Sequence, residues 1–256
     1  MTEVAAGIQA RRWLVGSAAR TEPLRLYCFA HGGGTVAGFL RWQLPGVEVW
    51  GVQLPGRGSR LDEPAPEDMA SLAAELAEQV RFGTPYAFFG HSFGALLAFE
   101  VTRSLRRAGR TLPVRLFASG YPAPDLPLTQ EPIHQLPDAD FLAAISRRYD
   151  AVPPEVLQNA DLAAAVLPAL RMDYRLLETH RHRAESPLPV PITALAGSDD
   201  LIGGEELRGW GRQCEFPVSV CLIPGGHFYL QAKQDRLLRT ISAQLRPAVA
   251  GSARSC

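Results

Sequence analysis

The chain has 256 residues, of which 46% are hydrophobic and 20% are charged, and this composition excludes intrinsic disorder over most of its length. It carries 26 Lys and Arg against 26 Asp and Glu, so no net charge attracts nucleic acid. A chain of this length can bury a sufficient core without disulfides or a metal, and we expect a single domain over residues 1–256.

The N-terminal residues lack a cationic segment followed by an apolar block, and no stretch is apolar enough to cross a bilayer. The sequence therefore predicts a cytoplasmic protein with no membrane partner, and we expect a monomer. The cysteines form no CxxC pair, so we expect free thiols and no metal site. They are Cys28, Cys214, Cys221 and Cys256.

Short apolar segments alternate with segments of helical period, a pattern typical of a mostly parallel sheet with helices on both faces. In chain order, strands are predicted at 24–30, 48–54, 86–90, 114–119, 192–196 and 218–223, with a further strand near 13–15. Helices are predicted at 68–82 and 93–108, each followed by a glycine stop signal.

Residues 121–191 interrupt this alternation. Both ends of the segment are rich in proline, and helical patterns lie near 141–149 and 162–177. Because the strand and helix alternation resumes afterwards, we expect a helical insertion that caps a site at the strand ends.

The segment GHSFG at 90–94 lies between a predicted strand and a predicted helix. This context is that of a nucleophile elbow, in which the two glycines allow a sharp turn that exposes the serine hydroxyl. Ser92 is therefore the candidate nucleophile. The backbone amide of Phe93 is one candidate donor to an oxyanion, and the glycine-rich loop after the 24–30 strand is expected to supply the other.

A serine nucleophile needs a base, and His227 in the segment PGGHF follows the last predicted strand. His180 and His182 lie in the run HRHR, which indicates a solvated surface. For the carboxylate that orients the base, Asp199 and Asp200 both follow the 192–196 strand and give the order Ser, Asp, His of an α/β-hydrolase.

A third carboxylate remains an alternative for this role. Asp125 follows the 114–119 strand, whose end lies at the same edge of the predicted sheet. The pattern of residues alone leaves the choice among the three carboxylates open.

Taken together, these segments resemble the type II thioesterases, stand-alone α/β-hydrolases that accompany polyketide and nonribosomal peptide synthases. The resemblance covers roughly residues 24–245 and rests on the segments FAHGGG, LPGRGSR, GHSFG, GSDD and PGGHF. It implies an α/β-hydrolase fold with a lid at 121–191, Ser92 as nucleophile, His227 as base and Asp200 as acid. It also implies that Gly32 supplies the second oxyanion amide, although this chain has His-Gly-Gly-Gly where the family usually has His-Ala-Gly-Gly.

The resemblance further implies hydrolysis of the thioester that joins an acyl group to the phosphopantetheine arm of an acyl or peptidyl carrier protein. The substrate then brings its own phosphopantetheine, and no cofactor is expected. The implied role is editing, the removal of wrong or stalled acyl groups from a synthase. A carboxylesterase or an acyltransferase acting on small soluble substrates has the same fold and residues and stays an alternative.

Two groups of arginines allow more than one interpretation. Arg57 and Arg60 lie in the segment LPGRGSR, and we expect them to shape that loop rather than to bind phosphate. The basic residues of the insertion are expected to be solvated, with contact to an acidic carrier protein as the alternative. These residues are Arg147, Arg148, Arg171, Arg181 and Arg183.

Overall fold

The computed structural model describes residues 12–16, 22–127, 129–149 and 158–252. It contains a seven-stranded sheet whose strands are β1 Leu14–Gly16, β2 Leu24–Phe29, β3 Val47–Val52, β4 Tyr86–His91, β5 Leu116–Ser119, β6 Ile192–Gly197 and β7 Ser219–Ile223. The strand order is β1-β3-β2-β4-β5-β6-β7. Strand β1 pairs antiparallel with β3, and the other neighbours pair in parallel.

Helices follow most of the strands. They are α1 Met69–Gln79, α2 Phe93–Arg107, α3 Asp138–Tyr149, α4 Ala160–Thr179, α5 Gly204–Arg208, α6 Tyr229–Ala232 and α7 Gln234–Ser252. Short 3-10 helices lie at Val36–Arg41, Gly58–Arg60 and Gly209–Arg212. Helix α1 begins where the sequence predicts, because the Asp68 carboxylate accepts the Ser71 amide at 2.7 Å in a capping box.

The mostly parallel sheet with surrounding helices confirms the predicted α/β class. Each predicted strand is present with its ends shifted by no more than two residues, including the strand near residue 14. One face of the sheet packs against α1 and α2, and the other packs against α7 through Leu237 and Ile241. With both faces covered, the carboxyl ends of the parallel strands are the natural place for a ligand site.

The insertion contributes α3 and α4. Phe141 and Ile145 of α3 form a small apolar cluster with Leu170 of α4. On α4, Met172 and Leu176 belong instead to the large cluster that includes α1 and α2. Helix α4 therefore joins the insertion to the main body of the protein.

The expectation of a solvated surface at HRHR is wrong for the histidines. The Nε2 atom of His180 lies 3.6 Å from the Glu100 carboxylate, and only 11% of the His180 side chain is exposed. Burial, with help from the nearby His182 and Arg103, lowers the pKa of His180 to about 4. Arg181 and Arg183 are exposed, as expected.

The loop arginines are buried, and they shape the loop as predicted. Arg57 binds both carboxylate oxygens of Asp173, at 2.8 and 2.6 Å. Arg60 donates to the carbonyl oxygen of Gln53 at 3.0 Å and to the Glu63 carboxylate at 2.6 Å. These bonds fix the 53–63 segment against the body of the protein.

Several arginines of the insertion also form internal bonds. Arg171 pairs with Asp138 at 2.5 Å, Arg148 donates to the carbonyl oxygen of Glu131 at 2.6 Å, and Arg181 donates to the Glu178 carbonyl oxygen at 3.0 Å. All three arginines therefore bind other residues of the insertion, and these contacts account for their presence there.

Cys28 and Cys214 are buried, Cys221 is half-buried, and all three are free thiols. Cys256 lies outside the described residues. None of the described helices combines the length and the apolar character needed to cross a membrane.

Candidate active site

Ser92 occupies a strained turn between β4 and α2. Its φ is 55° and its ψ is −119°, and no other non-glycine residue in the described ranges has a positive φ. A side chain at positive φ is energetically unfavourable, and such residues cluster at functional sites. The strand, sharp turn and helix have the form expected of a nucleophile elbow.

The turn depends on two glycines because backbone atoms pass very close to them. A β-carbon placed on Gly90 would lie 2.1 Å from the carbonyl oxygen of Gly94. One placed on Gly94 would lie 2.2 Å from the carbonyl oxygen of Phe29, at the end of β2. The two glycines therefore let α2 start directly beside the carboxyl ends of β2 and β4.

His227 and Asp200 come from two neighbouring strands. Asp200 follows β6 and His227 follows β7, and the Nδ1 atom of His227 lies 2.9 Å from an Asp200 carboxylate oxygen. The His227 and Asp200 side chains are 4% and 1% exposed. This contact directs Nδ1 towards the carboxylate and leaves Nε2 as the nitrogen available to a substrate or nucleophile.

The other two candidate carboxylates bind elsewhere. Asp199 is exposed and accepts a hydrogen bond from the Ser198 hydroxyl at 3.0 Å. Asp125 pairs with Arg212 at 2.5 Å. Of the three carboxylates that follow the strands, Asp200 is the one that contacts His227.

Ser92 lies in the walls of two cavities. The first has a volume of about 300 Å³ and is also lined by His227, Gly32 and Phe93. The second has a volume of about 310 Å³ and is also lined by Gly120 and Tyr121, at the end of β5. The two cavities share Ser92, Tyr149, Tyr174 and Leu177.

Ser92 and His227 are thus in one cavity, but their side chains are not hydrogen-bonded to each other. Within the described part of the chain, the Ser92 hydroxyl has no hydrogen-bond partner. Catalytic hydrogen bonds are often long in a protein without substrate and shorten when the substrate binds. Ser92 and His227 therefore line the same cavity, and a hydrogen bond between them can form when the substrate binds.

The backbone amides of the 31–34 loop have different partners. The Gly33 amide donates to the Asp173 carboxylate at 2.7 Å, and the Gly34 amide donates to the His31 carbonyl oxygen at 2.8 Å. Among the described residues, no protein group accepts from the amides of Gly32 or Phe93. The Phe93 amide is the donor that the elbow motif predicts, and the Gly32 amide is the donor that the family resemblance implies.

Two further histidines flank His227. The His31 pKa is lowered to about 4 by burial, with smaller effects from His227 and Arg57. Burial, followed by His227 and His31, holds the pKa of His91 well below its usual range. The His91 ring binds the Ser119 hydroxyl at 2.8 Å. Both imidazoles are neutral near pH 7, so neither places a positive charge beside His227.

Residues of the insertion complete the walls, and sequence patterns do not identify them. The Tyr149 ring lies 4.4 Å from the His227 ring, measured between centroids. Tyr174 and Asp173 of α4 contact the 31–34 loop. A tyrosine or an aspartate within a helical period gives no sign of what it contacts across the fold. Arg57 is noticeable from its motif, but its partner Asp173 is not.

The chain matches a family model described as a thioesterase domain over residues 24–245. It is 39% identical over 238 residues to the thioesterase PikA5 of Streptomyces venezuelae, a match that covers 89% of this chain and 83% of the relative. It is 33% identical over 249 residues to the gramicidin S biosynthesis protein GrsT of Aneurinibacillus migulanus, with 94% and 97% covered.

Solved structures give the same picture. The structure of BorB, described as the type II thioesterase from the borrelidin biosynthetic cluster, superimposes with a TM-score of 0.81 and 35% sequence identity. The match covers 91% of this chain and 97% of BorB. The family model, over residues 24–245, includes strands β2 to β7 and the helices of the insertion.

We expect the substitution Gly94→Ala to destabilise the protein and to lower its activity. The added methyl would meet the backbone oxygens of Phe29 and Ala30 at 2.2 and 2.5 Å, which forces α2 away from β2. Overpacking of this kind typically costs about 1–3 kcal/mol. Urea unfolding followed by circular dichroism measures the change in free energy of unfolding.

Gly38→Ala is the matched control, because Gly38 is exposed and a β-carbon there meets no atom within 4 Å. It should leave the unfolding midpoint near that of the wild type. Equal stability of Gly94→Ala and the wild type would contradict the steric account of the turn.

Proposed function

The chain belongs to the thioesterase family, and we propose that it acts as an editing enzyme on acyl groups bound to the phosphopantetheine arm of acyl or peptidyl carrier proteins. It is a hydrolase with the α/β-hydrolase fold, and its resemblance to type II thioesterases is confirmed. The names of its relatives, which refer to gramicidin S biosynthesis and to the borrelidin biosynthetic cluster, support a place beside a polyketide or nonribosomal peptide synthase.

One observation carries the chemical part of the proposal. His227, which is hydrogen-bonded to Asp200, lines the same cavity as the strained Ser92. A nucleophile, a base and a group that orients the base are the three parts that activation of a hydroxyl requires. We assign these roles to Ser92, His227 and Asp200, respectively.

In the first half of the reaction, the Ser92 oxygen attacks the thioester carbonyl carbon while His227 Nε2 takes the hydroxyl proton. The resulting imidazolium is stabilised by Asp200, which remains ionised. When the tetrahedral intermediate collapses, the carbon–sulfur bond breaks and His227 gives its proton to the departing thiol. The product is an acyl ester of Ser92.

The negative charge on the carbonyl oxygen needs donors that are already in place. The free amides of Gly32 and Phe93 supply them in this proposal. The family resemblance points to Gly32 within its loop, and the amides of the next two residues, Gly33 and Gly34, already have acceptors. Replacement of alanine by glycine in the family's usual loop sequence thus leaves the donor unchanged.

In the second half, His227 removes a proton from water, and the water oxygen attacks the acyl-Ser92 ester. The same two amides stabilise the second intermediate, and Ser92 regains its proton from His227. The only phosphopantetheine in this scheme is the one that the substrate brings, so the proposal needs no cofactor or metal.

The two cavities suit a substrate that extends on both sides of its reacting carbonyl. Ser92 lies where they meet, so an acyl group and the thiol arm can leave the carbonyl carbon in different directions. The insertion forms one wall of each cavity, and we propose that it acts as the lid. The monomeric state and the cytoplasmic location stay predictions from the sequence.

We expect the wild-type enzyme to hydrolyse an acyl thioester of a carrier protein with a higher kcat/KM than the oxygen ester of the same acyl group. The substitution Ser92→Ala should abolish both activities above background, because Ser92 is the only serine or cysteine among the described residues that line the two cavities. Product analysis by mass spectrometry checks each reaction. Faster turnover of the oxygen ester would identify a carboxylesterase, and acyl transfer to an added alcohol in preference to water would identify an acyltransferase.

Separate variants test the choice of acid. Asp200→Asn should lower kcat on the order of 10⁴-fold, because the amide cannot hold His227 in the required tautomer or stabilise its charged form. Asp199→Asn is the matched control and should keep activity close to wild type, since Asp199 is exposed and contacts Ser198. Loss of activity in Asp199→Asn with retention in Asp200→Asn would reverse the assignment.

We expect hydrolysis of the acyl-enzyme to be the slower half of the reaction. A thiolate leaves a carbonyl carbon much more readily than an alkoxide, so acylation of Ser92 needs less help than its deacylation. Rapid mixing with an acyl thioester should therefore release thiol in a burst close to one equivalent of enzyme, followed by a slower steady state. A linear release without a burst would contradict this order of rates.

A further inference from the structure

Helix α4 is bonded directly to the loop that carries a proposed oxyanion donor. Asp173 of α4 accepts the Gly33 amide at 2.7 Å with one carboxylate oxygen. The same oxygen accepts from Arg57 at 2.8 Å, and the other oxygen accepts from Arg57 at 2.6 Å. Arg57 also donates to the carbonyl oxygen of Gly34 at 3.1 Å. Asp173 therefore holds the loop at the N–H of Gly33, and Arg57 holds it at the carbonyl of Gly34.

The pair is isolated from water, so its geometry is well defined. The side chain of Asp173 is fully buried and that of Arg57 is 6% exposed. A buried pair of this kind contributes little to stability compared with apolar side chains of similar size, yet breaking one half of it is strongly destabilising. Stability alone is therefore a weak reason for an ion pair at this position.

Apolar contacts reinforce the link between α4 and the loop. A β-carbon on Gly33 would lie 2.7 Å from a methyl group of Leu170, and one on Gly32 would lie 3.5 Å from the ring of Tyr174. Leu170, Asp173 and Tyr174 thus form one surface of α4 that rests on the loop. A shift of α4 would therefore change the direction of the Gly32 amide.

We propose that Asp173, held by Arg57, is a positioning residue that fixes the 31–34 loop so that the Gly32 amide faces the reacting carbonyl, and that the loop is competent only while α4 is seated on it. This inference rests on the proposed serine hydrolase mechanism and adds a requirement to it. It gives the insertion a part in catalysis beyond that of a wall.

The test compares two double variants that differ by one hydrogen-bond acceptor. Both Arg57→Met/Asp173→Leu and Arg57→Met/Asp173→Asn remove the two buried charges. Only the asparagine variant retains a side-chain oxygen that can accept the Gly33 amide. The substrate is the octanoyl thioester of N-acetylcysteamine, so the result does not depend on recognition of a carrier protein.

We expect the leucine variant to lose about 10- to 100-fold in kcat, below the 10²- to 10³-fold typical of deleting a donor outright, with KM within about twofold of wild type. The asparagine variant should recover a substantial part of that loss. Affinity for an octyl boronic acid, which forms a tetrahedral adduct with a serine, should weaken in parallel with kcat. The pH dependence of kcat/KM should keep its midpoints, because His227 and Asp200 are untouched.

Asp138→Asn is the matched control within the insertion. It breaks the exposed ion pair with Arg171 and does not touch the 31–34 loop, so its kcat should equal that of wild type. If the leucine variant does not fold, the single variant Asp173→Asn takes its place. Hydrogen exchange of a peptide covering 30–35 should then be faster than in wild type, and boronate binding weaker.

Equal kcat and equal boronate affinity in the leucine and asparagine variants would overturn the proposal. So would unchanged hydrogen exchange and boronate binding in Asp173→Asn. These outcomes are distinct from failure of the proposed function. Retained thioesterase activity in Ser92→Ala would refute the mechanism itself, whereas an active wild type that ignores carrier proteins would refute only the substrate assignment.

Discussion

The site depends on close backbone contacts between β2, β4 and the first turn of α2, where two glycines leave no side chain in between. Gly90 and Gly94 allow carbonyl oxygens to approach positions where a β-carbon would stand about 2 Å away. That contact holds Ser92 at positive φ and leaves the Phe93 amide without an intrahelical acceptor, as the first amides of any helix are. One tight turn therefore places both the proposed nucleophile and one proposed oxyanion donor.

Parallel topology brings the remaining groups to the same edge. The 31–34 loop follows β2, Asp200 follows β6 and His227 follows β7, so each leaves the sheet at its carboxyl end. The sheet determines where these residues are, and the insertion determines how they are enclosed. Helix α3 ends with Tyr149 against the His227 ring, while α4 contacts the glycine loop. The same segment therefore covers the cavity and, in our proposal, orders the 31–34 loop.

Much of this arrangement is predictable because the governing interactions are local in sequence. The strands are recognisable in the sequence as apolar segments, and the GHSFG motif predicts the start of α2. Ser92 and His227 are predictable because each lies directly after a predicted strand. Asp199 and Asp200 are adjacent in the sequence, so the choice between them depends on which side chain the turn after β6 directs towards His227. Hydrophobic periodicity does not show this. The contacts of Asp173 and Tyr149 join residues more than 70 positions apart in sequence, through the packing of the insertion. The half-buried His180 was mispredicted for the same reason, since Glu100 lies on α2.

The distribution of charge around Ser92 suits a reaction that creates two charges briefly. Asp200 faces His227, and Asp173 is bound by Arg57, so each carboxylate has its own partner. His31 and His91 are kept neutral by burial, and neither competes with His227 for the proton or repels its charged form. In the proposed reaction, attack by Ser92 creates a positive charge on His227 beside Asp200 and a negative charge at the Gly32 and Phe93 amides. Asp200 already contacts His227, and the two amides have no competing acceptor among the described residues, which suits the preorganised stabilisation that the proposed reaction requires.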